Sequence, residues 1–244
     1  DIGIHPRSQA RILSGIKSFF HFLTVADYLE TDPSELLEGP KIGFKIPEVL
    51  TVEEIDRIIS AVDMDKKEGQ RNRAILETLY SCGLRVSELC NLKLSDLYFE
   101  EGFIKVEGKG SKQRLVPISP RAIKEIKYWL TDRNLGKIKK GYEDYVFLAR
   151  WGNNISRIMV FHMIKELAEK TGITKNISPH TFRHSFATHL LEGGANLRAI
   201  QCMLGHESIA TTEIYTHIDR NMLRSEIIEH HPRNIKYRKE RGIY

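Results

Sequence analysis

Apolar residues recur at helical spacing along most of the chain, and one stretch near the middle departs from this pattern. Residues 8–23, for example, carry Ile12, Ile16 and Phe19 on one face of a predicted helix. The departing stretch holds three strand-like runs, at 97–99, 103–106 and 114–118. The last two runs flank Gly108 to Lys112, a glycine-rich segment of the length that joins antiparallel strands. The chain is therefore predicted to be mainly α with a small antiparallel β-sheet, an α+β fold.

A segment with two glycines and two prolines, residues 38–47, interrupts the helical pattern near the N-terminus. The sequence begins at Asp1 rather than Met, and the part before the interruption is short for an independent domain. We therefore expect residues 1–41 to be the last part of a helical domain and residues 42–50 to be a linker. Residues 51–232 are expected to form the main domain, followed by a basic tail at 233–244.

Composition limits the function classes without choosing one. Of the 244 residues, 41% are hydrophobic, which predicts a packed core, and no run is apolar enough for a membrane span. Three cysteines without a CxxC spacing, Cys82, Cys90 and Cys202, argue against disulfides and favour a reducing cytosol. The net charge of +5 is concentrated near the C-terminus. Such a tail suits nucleic acid or an anionic membrane surface, and it equally suits a solvated, disordered end.

Two arginines occur where an anion could be bound. His180 and Arg183 lie three residues apart just inside a helix that Ser178 and Pro179 are predicted to begin, so they share a face near the positive helix end. Arg85 stands between two predicted helices, and Glu88 follows one turn later, close enough to hold it by a charge-assisted hydrogen bond. Two guanidinium groups could bind both non-bridging oxygens of a phosphodiester. An ordinary surface helix and a surface ion pair explain the same residues.

A lysine and a tyrosine could complete phosphoryl-transfer chemistry. Lys109 occupies the hairpin tip between two glycines and could give a proton to a leaving oxygen. His206 follows a helix-ending glycine, and Tyr215 comes nine residues later. A phenol needs a base and nearby positive charge to become a nucleophile, because its pKa is close to 10. A solvated turn lysine and a core or interface tyrosine are the structural alternatives.

A zinc site is a further interpretation of His180, His184 and His206. Arg183 would place positive charge beside the metal, and neither a cysteine ligand set nor an HExxH pattern is present. These features argue against zinc. Two arginines and a lysine could supply the positive charge that Mg²⁺ provides elsewhere, so we expect neither a metal nor another cofactor.

Taken together, these segments resemble the tyrosine recombinase or phage integrase family, most strongly its Xer branch, which resolves chromosome dimers. The similarity runs from about residue 51 to residue 232. It is carried by four segments: GLRVSEL (83–89), GKGSKQRLVPI (108–118), SPHTFRHSFATHLLEGGANLRAIQCMLGH (178–206) and TTEIYTH (211–217). The resemblance implies a recombinase catalytic domain at 51–232, preceded by part of a helical, SAM-like core-binding domain at 1–41.

The resemblance also implies the roles of the site residues. It makes Tyr215 the nucleophile that forms a 3′-phosphotyrosyl bond and Lys109 the donor of a proton to the 5′-oxygen. His180 becomes the acceptor of the tyrosine proton, and His206 a hydrogen-bond donor to the scissile phosphate. The phosphate-clamping arginines are Arg85 and Arg183, with Glu88 in support. Lys112, Arg114 and Arg157 are further candidates for DNA contacts.

The implied partners are a double-stranded DNA recombination site and a homo- or hetero-tetramer assembled on two such sites, without a membrane. The implied location is the cytoplasm, at the nucleoid. In this family a C-terminal segment docks on a neighbouring subunit, and residues 219–229 are a candidate for it, although packing on their own domain is an equal alternative. The functional alternatives are an integrase or transposase of a mobile element, a topoisomerase-like enzyme with the same chemistry, and a DNA-binding regulator without catalysis.

Overall fold

The structure is a computed structural model that describes residues 3–41, 43, 48–205 and 220–240. The chain divides into two compact units, Asp1–Ile46 and Pro47–Tyr244. The described residues form helices and one small antiparallel sheet that contains the predicted hairpin. The predicted α+β class is therefore confirmed. Among the residues described, no helix is both long enough and apolar enough to cross a membrane.

The N-terminal unit contains one long helix, α1 (Pro6–Val25). Pro6 fits its first position because no helical N–H bond is lost there, and His5 Nδ1 caps it by accepting from the Arg7 backbone N–H at 3.3 Å. Ile12, Phe19 and Phe22 are each more than half exposed. Among its described residues, none of the hydrophobic side chains of this unit is buried.

The C-terminal unit is a helical domain that contains one small sheet. Its first helix begins with the capping box that the sequence predicts: Thr51 Oγ1 accepts from the Glu54 N–H, and Glu54 Oε2 accepts from the Thr51 N–H. The described helices are α2 (Val52–Ser60), α3 (Gly69–Cys82), α4 (Val86–Cys90), α5 (Pro120–Leu135), α6 (Arg157–Lys170), α7 (Pro179–Glu192), α8 (Leu197–Leu204), α9 (Arg220–His230) and α10 (Pro232–Glu240).

The sheet has three antiparallel strands in the order β1 (Leu97–Tyr98), β2 (Phe103–Glu107) and β3 (Gln113–Pro117). Ile104 pairs with Val116 and Val106 pairs with Arg114 across β2 and β3. Because side chains alternate between the faces of a strand, Arg114 and Val116 share one face, and both are buried. This register places the turn at Lys109–Ser111 at one end of the sheet.

Helix α3 lies at the centre of the domain and packs against α5 and α7. Its residues Leu79 and Tyr80 are fully buried, as are Phe182 and Phe186 of α7. Ser185 ties α7 to the segment before α2, since its Oγ accepts from the Leu50 N–H at 2.9 Å. The core therefore fixes α7, the helix that carries two of the predicted site residues.

The C-terminal helices differ from the sequence interpretation. Helix α9 packs against α7, α8 and β3 of its own domain, where Leu223 and Ile227 are buried, so packing within the domain is the alternative that the structure favours. The described part of the predicted basic tail belongs to α10, so the alternative of a disordered end does not hold there. Arg233, near the start of α10, is buried. Its positive charge is compensated by ion pairs with Glu77 and Asp56.

Candidate active site

Arg85 is positioned by a sharp reversal between α3 and α4. Helix α3 ends at Cys82, Gly83 adopts a φ of +58°, and Arg85 becomes the N-cap residue of α4. Glu88 Oε2 accepts from the Arg85 backbone N–H at 2.8 Å, and its Oε1 accepts from Arg85 Nη1 at 2.8 Å. The hydrogen bond that the sequence predicts between these two side chains is therefore present, and it is charge-assisted.

The reversal at Gly83 is tightly packed. A Cβ atom at this position would lie 2.4 Å from Cδ1 of the Phe186 ring. We expect Gly83→Ala to lower the free energy of unfolding by about 2–4 kcal/mol, because left-handed backbone strain adds to overpacking. Gly172→Ala is the matched control: its φ is +67° and no atom lies within 4 Å of an added Cβ, so only about 1 kcal/mol should be lost. Urea denaturation measures both, and equal losses would contradict the importance of the contact with Phe186.

Arg114 occupies the other side of the Glu88 carboxylate. Its Nη1 donates to Glu88 Oε1 at 2.7 Å and its Nη2 donates to Glu88 Oε2 at 2.9 Å, a bidentate pair between buried groups. The expectation that Arg114 contacts DNA is therefore corrected, since its guanidinium group is bound inside the domain. The strand alternation that puts residue 114 on the face of Val116 is the sequence signal that could have shown this.

Three consecutive carbonyl groups at the end of α8 accept hydrogen bonds from three different arginines. Arg114 Nε donates to the Met203 carbonyl at 2.8 Å. Arg183 Nη2 donates to the Leu204 carbonyl at 2.6 Å, and Arg85 Nη2 donates to the Gly205 carbonyl at 3.0 Å. The last carbonyls of a helix lack helical partners and carry partial negative charge, so they suit cationic donors. The predicted pair, Arg85 and Arg183, is thus brought together at one helix end.

The charges at this helix end do not cancel. Burial and, to a smaller extent, the charges of Arg85 and Arg114 lower the pKa of Arg183 to about 10, while Glu88 opposes the shift. Arg183 therefore remains cationic at neutral pH. Burial favours a neutral Glu88, but hydrogen bonds and charge from Arg114 and Arg85 outweigh burial and lower the pKa of its carboxyl group. Three guanidinium groups and one carboxylate leave a net charge of +2, which favours an anion with more than one negative charge.

The hairpin that carries Lys109 starts beside this cluster. A Cβ atom on Gly108 would lie 3.5 Å from Arg114 Nη1 and 3.7 Å from Glu88 Oε1. The backbone of Lys109–Ser111 forms a 3₁₀ turn in which Gly110 has a φ of +72°, while the Lys109 side chain lies outside the described part. Lys112, two residues before Arg114, is exposed.

Helix α7 presents His180 and Arg183 differently, although they are one turn apart. Ser178 and Thr181 form a capping box at the start of the helix, where His180 is the second helical residue and exposed. Arg183 is buried, and its Nη1 donates to the Gly83 carbonyl at 2.7 Å. His180 therefore lies at the surface, three residues before the buried Arg183 on the same helix.

The other predicted site residues are placed in part. His206 and Tyr215 lie outside the described residues. Arg157 is exposed at the start of α6, which Ser156 caps and which packs against α4. Within the described ranges, no group of three or more His, Cys, Asp or Glu side chains is placed to hold a metal ion.

Comparison with known proteins gives consistent matches over most of the chain. The profile of the phage integrase family matches residues 48–222. Tyrosine recombinase XerD of Staphylococcus saprophyticus is 43% identical over 233 residues, which is 96% of this chain and 79% of that protein. XerD of Staphylococcus aureus (strain Mu50) is 42% identical over the same shares. The crystal structure of XerA recombinase is similar with a TM-score of 0.61 and 35% identity, covering 89% of this chain and 74% of that one.

Proposed function

Because this chain belongs to the phage integrase family, the tyrosine recombinases, we propose that it cuts and rejoins duplex DNA through a covalent bond between Tyr215 and a 3′-phosphate. The observation that carries the proposal is the convergence of Arg85 and Arg183 on adjacent carbonyl groups, those of Gly205 and Leu204. Each guanidinium group has five donors, so each retains donors for a phosphate after binding a carbonyl.

The net charge of the cluster suits the transition state of phosphoryl transfer. A phosphodiester carries one negative charge, and the five-coordinate phosphorus that forms on attack carries about two. Contacts from Arg85 and Arg183 therefore strengthen as the reaction proceeds, which lowers the barrier rather than only improving binding.

The residues of this chain account for each bond and each proton transfer of the cleavage step. The bond from Tyr215 Oη to phosphorus forms while the bond from phosphorus to O5′ breaks. His180 takes the phenolic proton, Lys109 gives a proton to the departing O5′, and His206 donates a hydrogen bond to the phosphate. The phosphotyrosyl ester conserves the energy of the broken phosphodiester, so rejoining is the reverse reaction with another 5′-hydroxyl and needs no ATP.

The proposed substrate is a double-stranded recombination site, and the proposed assembly is a tetramer of this chain, alone or with a paralogue, on two such sites. The solved structure of XerH recombinase bound to its difH substrate, 26% identical with a TM-score of 0.67 and covering 88% of this chain and 63% of that one, supports a DNA partner. Lys112 and Arg157 are exposed cations at the hairpin and at the start of α6, and both suit contacts to the DNA backbone. The Xer relatives favour chromosome dimer resolution, in the cytoplasm at the nucleoid.

A suicide substrate tests the chemistry directly. The protein is mixed with duplex DNA that carries a nick beside the scissile phosphate, so that the cleaved fragment diffuses away and the covalent product accumulates. We expect an adduct that resists denaturant, with the DNA fragment mapped by mass spectrometry to the peptide of Tyr215. Tyr215→Phe is the control and should give none, whereas an adduct on another residue would contradict the assignment.

The biological setting needs a second measurement, the map of DNA sites that the protein occupies in cells. One site near the replication terminus supports chromosome dimer resolution, whereas occupation of element ends would replace it by mobile-element integration. Relaxation of supercoiled DNA without any such site would indicate a topoisomerase-like enzyme. Normal DNA binding with no adduct under any condition would indicate a regulator.

A further inference from the structure

Arg114 links three parts of the candidate active site, although its side chain is only 4% exposed. It belongs to β3, it binds Glu88 through two hydrogen bonds, and it binds the Met203 carbonyl through a third. Each oxygen of Glu88 is shared with Arg85, which donates to Oε1 from its side chain and to Oε2 from its backbone. Glu88 is therefore held between two cations rather than paired with one.

This sharing decides how much positive charge Arg85 offers to a phosphate. Arg85 and Glu88 alone would form a neutral pair, in which the carboxylate competes with the phosphate for the guanidinium group. Because Arg114 neutralises the same carboxylate, Arg85 retains its charge for an external anion.

Arg114 also fixes the helix end to which the other two arginines bind. The Met203, Leu204 and Gly205 carbonyls follow one another in the chain, so holding the first limits the positions of the next two. Contact is close here: a Cβ on Gly205 would lie 3.2 Å from the Arg114 guanidinium carbon, and Gly205 has a φ of +64°.

We propose that Arg114 is a positioning residue for cleavage, which acts through Glu88 on Arg85 and keeps the charge of Arg85 available to the scissile phosphate. The proposal rests on the function proposed above. On this proposal Arg114 supports the arginines that bind the phosphate. It does not support Lys109, the proton donor to the leaving group, although both residues belong to the same hairpin.

Single-turnover cleavage by Arg114→Met tests the proposal, with Arg114→Lys as the conservative variant. We expect Arg114→Met to form the adduct about 100-fold more slowly, with DNA affinity within about threefold of the unaltered protein, as for loss of a group that supports the transition state. Arg114→Lys should recover about tenfold, because it restores one charge without the fork. If the methionine variant does not fold, the lysine variant, expected to cleave about tenfold more slowly than the unaltered protein, carries the same test.

Two altered substrates distinguish the route by which Arg114 acts. A sulfur in place of O5′ leaves without protonation, so it should rescue Lys109→Ala and leave the deficit of Arg114→Met unchanged. A methylphosphonate at the scissile position carries no charge, so the deficits of Arg85→Ala and Arg114→Met should both shrink at least tenfold. Rescue of Arg114→Met by sulfur would overturn the proposal, since it would place Arg114 behind the leaving-group acid.

Arg133→Met is the matched control for the loss of a buried arginine. Arg133 lies on α5, where its Nε donates to the Tyr145 carbonyl at 2.9 Å, and its loss should change stability without changing the cleavage rate of folded protein. A cleavage rate of Arg114→Met within threefold of the unaltered protein would refute the positioning role of Arg114 but not the proposed function. Absence of any adduct with the unaltered protein would instead refute the proposed function.

Discussion

Replacement of Arg183 by alanine should slow adduct formation by about 1000-fold, the range seen when one preorganised donor to a developing charge is removed. The side chain is buried, and burial and neighbouring cations lower its pKa; one of those cations, Arg85, would share the phosphate with it. Its contact with the phosphate should therefore matter most when the second negative charge develops. Single-turnover rates at saturating protein measure this effect.

DNA affinity should change little in the same variant, because many other contacts bind the duplex. Arg183→Lys is the informative companion: it keeps a positive charge but cannot serve the Gly83 carbonyl, the Leu204 carbonyl and a phosphate together. Thermal unfolding of both variants shows whether those carbonyl contacts were also structural. A variant that lost binding while retaining its cleavage rate once bound would contradict a role in the transition state.

Replacement of Arg233 by methionine should lower the free energy of unfolding by about 3–5 kcal/mol, because it removes one of the two arginines that are ion-paired with the buried Glu77. Arg233 has a side chain that is 1% exposed, donates to Glu77 Oε2 at 3.0 Å and also binds Asp56. Its guanidinium carbon lies 5.1 Å from the centre of the Tyr80 ring. Urea denaturation measures the loss, and Lys236→Met is the control. Lys236 is about half exposed and 3.5 Å from Asp56, so its loss should have little effect.

The loss in Arg233→Met should depend on pH. Burial already raises the pKa of Glu77, while Arg233 and Arg121 oppose that shift, so removal of Arg233 raises the pKa further. A carboxyl group whose pKa is higher in the folded than in the unfolded state binds more protons when folded, and stability then falls as the pH rises. The difference between the two proteins should thus be smaller at pH 5 than at pH 8. A difference that is constant or larger at pH 5 would show that Glu77 is not the group left uncompensated.

Features that depend on neighbours in the sequence were predictable. The capping box of Thr51 and Glu54, the helix end at Gly83 and the hairpin around residues 108–112 all follow from local rules, and the structure contains each of them. The pairing of Arg85 with Glu88 was predictable for the same reason, since the two residues are three positions apart.

Features that depend on distant partners were not predictable. Arg114 binds a carboxylate 26 positions away, and Arg233 binds one that is 156 positions away. Strand alternation could have placed Arg114 on the buried face, but no periodicity within one element identifies the distant partner of a charged side chain. Such a side chain is assigned to the surface by default, because burial of an unpaired charge is costly. For this reason the sequence predicts Arg114 as a candidate DNA contact and Arg233 as part of a basic tail.

The packing of α9 against its own domain affects how subunits could assemble into a tetramer. Leu223 and Ile227 are buried there, and each apolar side chain of this kind contributes about 1.5–3 kcal/mol when it is removed from water. A tetramer that exchanged α9 between subunits would first have to withdraw these side chains, and the receiving surface would have to offset that loss. Exchange of this helix would consequently have a free-energy cost that keeps α9 in place in an isolated subunit. A neighbouring subunit aligned on DNA would lower that cost by offering a surface on which α9 can pack.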